Sequence, residues 1–152
     1  MINPHSILEN SRNILLVDWP NPSFPRALLL GGFGIFGFSP SNYTRASIVS
    51  LSPDDLDEGS IFPPVNEEEQ GYLIFRQLKD KPSAIDIVCV YRPMQEFAGI
   101  FADLILPLGA KTVWIQPPVV SAEARILVEN NGLNYIESYD IKALVRGLRD
   151  RT

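Results

Sequence analysis

Apolar and polar positions follow two rhythms along this chain. Short, largely apolar stretches of strand length alternate with stretches in which apolar residues return every three or four positions. The runs NILLV (13–17), AIDIVCVY (84–91), KTVWIQ (111–116) and LNYIES (133–138) have strand length and suit strands covered on both faces. Phe97, Ile100, Phe101, Leu104 and Ile105 follow the i, i+3, i+4, i+7, i+8 spacing of a core-facing helix. Pro93 opens that helix and Gly109 stops it. Ala124, Leu127 and Val128 give a second helical stripe between an N-cap at Ser121 and Gly132, and Ile141, Leu144, Val145 and Leu148 give a last one. The second half therefore predicts β-α-β-α-β-α.

The first half supplies another β-α-β. Asn3-Pro4 predicts a helix start through Ile7 and Leu8, with proline at its first position. After NILLV, the turn DWPNP leads into SFPRALLLGG, where Ala27-Leu28-Leu29-Leu30 predicts a short helix stopped by Gly31 and Gly32. Phe33, Ile35, Phe36 and Phe38 then put apolar groups on both faces of a second strand. RASIVSL and GYLIFRQL are read as further strands with acidic turns between them, a small antiparallel excursion near residues 46–78. Strands separated by helices imply a parallel sheet with right-handed crossovers. The expected fold is α/β: a Rossmann-like, doubly wound domain of about five parallel strands with flanking helices, a single domain over residues 1–152.

One motif pulls against this order. Gly32-x-Gly34-x-x-Gly37 has the spacing of a dinucleotide-binding turn, and Asp54 and Asp55 follow about 20 residues on, where a ribose-binding acid would lie. A working turn of that kind sits between a strand and a helix, so that backbone N–H groups meet a pyrophosphate. Here the glycines fall at a helix stop and inside a strand. They are read as packing glycines, and SPDDLDEG as a solvated loop.

Composition narrows the function classes. The 152 residues are 45% apolar and 20% charged, enough for a core without staples. A net charge of −5 argues against a duplex-binding surface, and no nucleic-acid partner is expected. No apolar run reaches membrane length, and MINPHSILEN lacks a signal-peptide pattern, so no membrane association and a cytoplasmic location are expected. One cysteine (Cys89) and one histidine (His5) make a cysteine- or histidine-rich metal site or a Ser-His-Asp triad improbable. Cys89 and Trp114 lie inside predicted strands and are assigned to the core.

In doubly wound sheets, ligands bind outside the carboxyl ends of the strands, where strand order reverses. Those ends carry the candidate site: Asp18-Trp19-Pro20-Asn21 after the first strand, Ser39-Pro40 after the second, then Tyr91-Arg92-Pro93, Gln116-Pro117 and Tyr139. Arg92 is the only cation among them. It suits either a phosphate or an ion pair with Asp18. Trp19 and Tyr91 either stack on an adenine or pantetheine arm or cover the rim of the core. Gln116 either meets a ligand or caps a neighbouring loop.

These residues carry a family resemblance. AIDIVCVYRP matches the pattern D-I-V-x-x-[FY]-R, GAKTVWIQ matches G-A-x-x-V-W-x-Q, and VVSAEARILVENNGLNYIES matches the helix-and-strand return of the stand-alone CoA-binding domain family. That family is similar to the CoA-binding domain of the succinyl-CoA ligase α subunit. The resemblance spans roughly residues 7 to 149. It implies a non-catalytic binding module for CoA, acyl-CoA or a related adenine nucleotide, a small phosphorylated ligand held above the strand ends. Two departures stand out. Asp18 and Trp19 replace the small-residue first turn, placing a carboxylate where a pyrophosphate would lie. Residues 137–142, ESYDIK, keep the lysine of the family's D-x-C-x-K stretch without its cysteine. Two other readings stay open: a degenerate domain serving as a protein-interaction element or homo-oligomer, and an enzyme with Asp18 as acid–base and Arg92 as clamp.

Overall fold

The computed structural model describes residues 3–39 and 42–150. Eight strands make one sheet: β1 (Asn13–Val17), β2 (Gly34–Ser39), β3 (Asn42–Val49), β4 (Ile61–Phe62), β5 (Tyr72–Gln77), β6 (Ile87–Val90), β7 (Thr112–Ile115) and β8 (Asn134–Ile136). Their spatial order is β4-β5-β3-β2-β1-β6-β7-β8. The five strands from β2 to β8 are mutually parallel, as the alternating pattern predicts. The excursion adds β3, β5 and β4 antiparallel on the β2 side, extending the same sheet.

The pleat sorts the strand residues into two cores. Phe36, Leu15, Val88, Val113 and Tyr135 are in register across five strands and project to one face. The next row, Leu16, Cys89, Trp114 and Ile136, projects to the other. Covering the first face are α3 (Phe97–Ile100), a π turn (Phe101–Ile105) and α4 (Leu106–Leu108), which run on as one helical segment, and then α5 (Ala122–Asn130). Covering the second are α1 (Pro4–Glu9), α2 (Ser23–Leu30) and α6 (Ile141–Asp150). Ile14, Leu15, Leu16, Ile87, Val88, Val113, Trp114 and Ile115 are all fully buried. Each such aliphatic side chain contributes about 1.5–3 kcal/mol by leaving water.

Local chemistry fixes the element ends. Asn3 Oδ1 accepts from the His5 and Ser6 N–H groups and starts α1, and Ser121 Oγ accepts from Ala124 N and starts α5. Gly32, with φ of 95°, turns the chain out of α2. Asp86 accepts from the backbone N–H groups of Arg12 (2.8 Å) and Asn13 (3.0 Å), tying the start of β6 to the start of β1.

Strand β3 starts at Asn42, ahead of the expected run, β4 matches no expected strand, and two helical segments also differ from the expected pattern. Helix α2 begins at Ser23, four residues before the apolar run that announces it, because Pro25 falls in the first turn, where a missing N–H loses nothing. The segment from Phe97 to Leu108 is interrupted by the π turn. Pro107 cannot donate to the carbonyl of Asp103, and its ring crowds that carbonyl, so the regular ladder fails just there.

Candidate functional site

Strand β1 is the switch point of the sheet. From it the chain moves outward to β2 through α2 on one face, whereas β6 lies on its other side and leads to β7 through α3 on the opposite face. The carboxyl ends of β1 and β6 are thus covered by helices from opposite layers, and a crevice opens between them.

A cleft of about 400 Å³ occupies that position. Val17, Trp19, Phe38 and Ile100 make its apolar interior, while Asp18, Arg92 and Glu96 carry its charge. Asp18 stands in the left-handed region (φ 68°), uncommon for a residue other than glycine. Its Oδ1 accepts from Trp19 N at 2.8 Å, which holds the turn, and its Oδ2 accepts from Arg92 Nη1 at 3.1 Å. The remainder of the guanidinium fork goes to Glu96: Nε donates to Oε2 at 3.1 Å and Nη2 to Oε1 at 2.9 Å. The hydrogen bonds it donates to Glu96 first, and then to Asp18, hold the Arg92 guanidinium above its ordinary pKa. The ion pair open to Arg92 is therefore formed. A second carboxylate, Glu96, joins it, leaving this cluster with one net negative charge.

The first turn shows the same self-sufficiency. Ser23 N donates to Asn21 Oδ1 at 3.0 Å and Phe24 N to the Asn21 carbonyl at 3.1 Å. Pro25 has no N–H. The leading donors of α2, which a phosphate would need, are taken by Asn21 or missing. Pro20 and Asn21 themselves are exposed.

Trp19 is half-buried and stacks on Phe75 with centroids 4.8 Å apart and planes 9° from parallel, and Phe62 meets Phe75 edge-on. This is the rim-covering arrangement; Trp19 also lines the cleft. Gly37 lies beneath it: a methyl group there would approach Thr44 Oγ1 to 2.7 Å and the Trp19 and Phe75 rings to 3.5 Å.

The remaining strand-end candidates are less concentrated. Gln116 takes the capping role, accepting from Ile141 N at 2.9 Å and donating to Asp140 Oδ1 at 3.1 Å, so it starts α6. Tyr139 is exposed, and its carbonyl accepts from the Trp114 indole N–H at 2.9 Å. Tyr91 and Pro93 are exposed, and Pro117 is half-buried beyond β7. Ser39 closes β2, and Pro40 lies outside the described residues. The structure thus gathers Asp18, Trp19 and Arg92 into the cleft and leaves Gln116, Pro117 and Tyr139 above β7 and β8. Sequence reasoning missed Glu96, although Arg92 and Glu96 have the i, i+4 spacing that favours an ion pair. Cys89 is fully buried and desolvation, followed by the charge of Asp140, pushes its thiol far above the usual range. Among the described residues no cluster of metal-binding side chains occurs, and no helix is long and apolar enough to cross a membrane.

An α/β domain with parallel strands reversing order beneath an open crevice is a Rossmann-like ligand-binding architecture. The chain belongs to the CoA binding domain family, whose model matches residues 36–142, well over half its length. The match begins inside β2, so β1, the Asp18-Trp19 turn and α2 lie before it. Among solved structures, the chain is similar to the cell-free ID.343 protein from Thermus thermophilus (16% identity, TM-score 0.61, covering 97% of this chain and 99% of that one). It is also similar to Prb, a PH1109 protein redesigned for binding (16%, 0.62, 96% and 89%). A hypothetical protein from Pyrococcus horikoshii OT3 gives 17% identity, a TM-score of 0.54 and coverage of 97% and 93%. At these identities the likeness is one of fold.

Proposed function

We propose that this protein is a single-domain, non-catalytic, cytoplasmic binding module for CoA, an acyl-CoA or a related adenine nucleotide. The observation that carries the reading is the cleft at the switch point of a chain that belongs to the CoA binding domain family. Val17, Trp19, Phe38 and Ile100 offer apolar contact to an acyl or pantetheine arm, and Arg92 offers a planar fork to a phosphate. Binding of the phosphate exchanges one partner of Arg92 for another: the ligand displaces Asp18 or Glu96. Both carboxylates are roughly half exposed, so their ion pairs are weak enough to be exchanged.

Calorimetric titration of CoA into four forms of the protein tests this. The unmutated protein takes up CoA. Arg92→Ala weakens binding by about 1.5–3 kcal/mol, the value of a hydrogen bond to a charged group. Asp18→Asn strengthens it if Asp18 competes for Arg92, and weakens it, non-additively with Arg92→Ala, if Asp18 orients the guanidinium. Absence of heat and of any Tm shift with CoA, acetyl-CoA or ATP overturns the reading. The saturated first turn of α2 favours a second one, a domain that keeps the fold and meets a protein partner or a second copy of itself through this edge.

A further inference from the structure

A larger cavity, about 650 Å³, lies away from the strand ends, between α2, α6 and the loop of residues 63–70. Its walls differ in sign. Lys142 and Arg146, one helical turn apart, project from α6; Glu68 stands on the loop; Ala27, Leu30 and Val145 form the apolar part. Leu30 is 52% exposed there and adds to the apolar part.

The cavity is held open by a buried network. Arg26, 3% exposed, donates to the carbonyls of Phe62, Gln70 and Gly71 and pairs with Glu69 at 3.5 Å. Glu69 accepts in addition from Ser23 Oγ at 3.1 Å and from Val65 N at 3.0 Å. The loop is thereby pinned to α2. Gly31, where a side chain would strike Val145, lets α6 come close behind it. Glu69 is fully engaged by this network, but Glu68 on one wall and Lys142 and Arg146 on the other do not pair across the gap.

We propose that this cleft is a second binding site, independent of the strand-end crevice, for a short peptide with free termini. Lys142 and Arg146 receive the carboxylate, Glu68 receives the ammonium, and an apolar side chain covers Ala27, Leu30 and Val145. The size agrees: a cavity of this volume is about 9 Å across, and two extended residues span up to about 7 Å. A single anion would leave Glu68 facing it, and a single cation would face the α6 pair; only a ligand with separated opposite charges suits both walls.

The test uses leucyl-leucine with its N-acetylated and C-amidated forms, followed by the methyl NMR signals of Ala27, Leu30 and Val145. The free dipeptide shifts these signals saturably. Each capped form binds about tenfold more weakly, as expected for loss of one charged contact. Glu68→Gln weakens the free dipeptide to a similar extent and leaves the acetylated form unaffected. Lys142→Gln with Arg146→Gln does the same for the free and amidated forms. All three are lining positions outside the buried network, and an unchanged Tm verifies the fold. Methyl signals that do not move at about 10 mM dipeptide, or capped forms that bind as tightly as the free one, overturn the proposal. So do methyl shifts confined to Val17 and Ile100, which belong to the other cleft.

Discussion

Gly34 shows how much a position in the sheet says about a residue's role. It opens β2 and pairs with Asn13 at the start of β1, so it lies at the sheet edge opposite the one where Asp18 and Arg92 meet. A methyl group at Gly34 would strike the Asn13 side chain, whose amide donates to the Ala84 carbonyl at 3.1 Å. Gly34→Ala should therefore cost about 1 kcal/mol, the value of that bond, in urea denaturation. Ligand affinity of the folded variant should be unchanged. A loss of affinity at full stability would return the three glycines to the role of a phosphate loop. At this scale the sequence was readable where a residue type carries its own reason, as with Cys89 and Trp114 inside apolar runs. Arg26 and Glu69 were not readable. A buried arginine bonded to three backbone carbonyls leaves no periodic trace, and its partners are distant in the chain.

Elements were legible by rhythm, and their ends by chemistry. NILLV coincides with β1, and Asn3 and Ser121 cap the helices they were expected to cap. The start of α2 and the π turn were hidden because proline stood inside each pattern, and its effect depends on which N–H the helix can do without. The start of α6 depends on a residue from elsewhere in the chain, just past the end of β7. Gln116 reaches across from there to accept from Ile141 N, a contact buried from water. Gln116→Leu should cost about 1–3 kcal/mol, because it strands that N–H, while leaving any ligand affinity intact. Thermal denaturation beside calorimetry separates the two; a folded, stable variant that has lost ligand would make Gln116 a binding residue instead. Of the strand-end candidates, the sequence showed which residues share an edge. Which of them converge was decided by strand order, placing β1 beside β6, and strand order is set by long-range pairing.

The molecule as a whole carries its two cores back to back through one sheet, and both contain a group that resists ionisation. Burial pushes up the Cys89 thiol, ordinarily 9.0, in one core. In the other, burial, then the Glu137 hydrogen bond and charge, push up the Tyr135 phenol, ordinarily 10.0. Both folded values are raised, so their contribution is complete below the unfolded values and is lost as pH rises beyond them. Stability should be level near neutrality and fall above about pH 9, first through Cys89 and then through Tyr135. Urea midpoints at about pH 8 and 10.5 measure this, and Cys89→Ala should remove the earlier part of the fall. A flat profile would mean that neither group is desolvated as described. The sheet that joins the cores also has a particular way of ending. Its outermost strands are β4, two residues long, and β8, three, and the part of β5 that β4 does not cover includes Arg76, paired with Asp55 at 2.9 Å. A neighbouring molecule arriving edge-on finds almost no free ladder to extend, and where β5 is bare it meets a charged pair that would lose its water. An eight-stranded sheet of this width can stay apart from its copies in a crowded solution because its borders give them so little to zip onto.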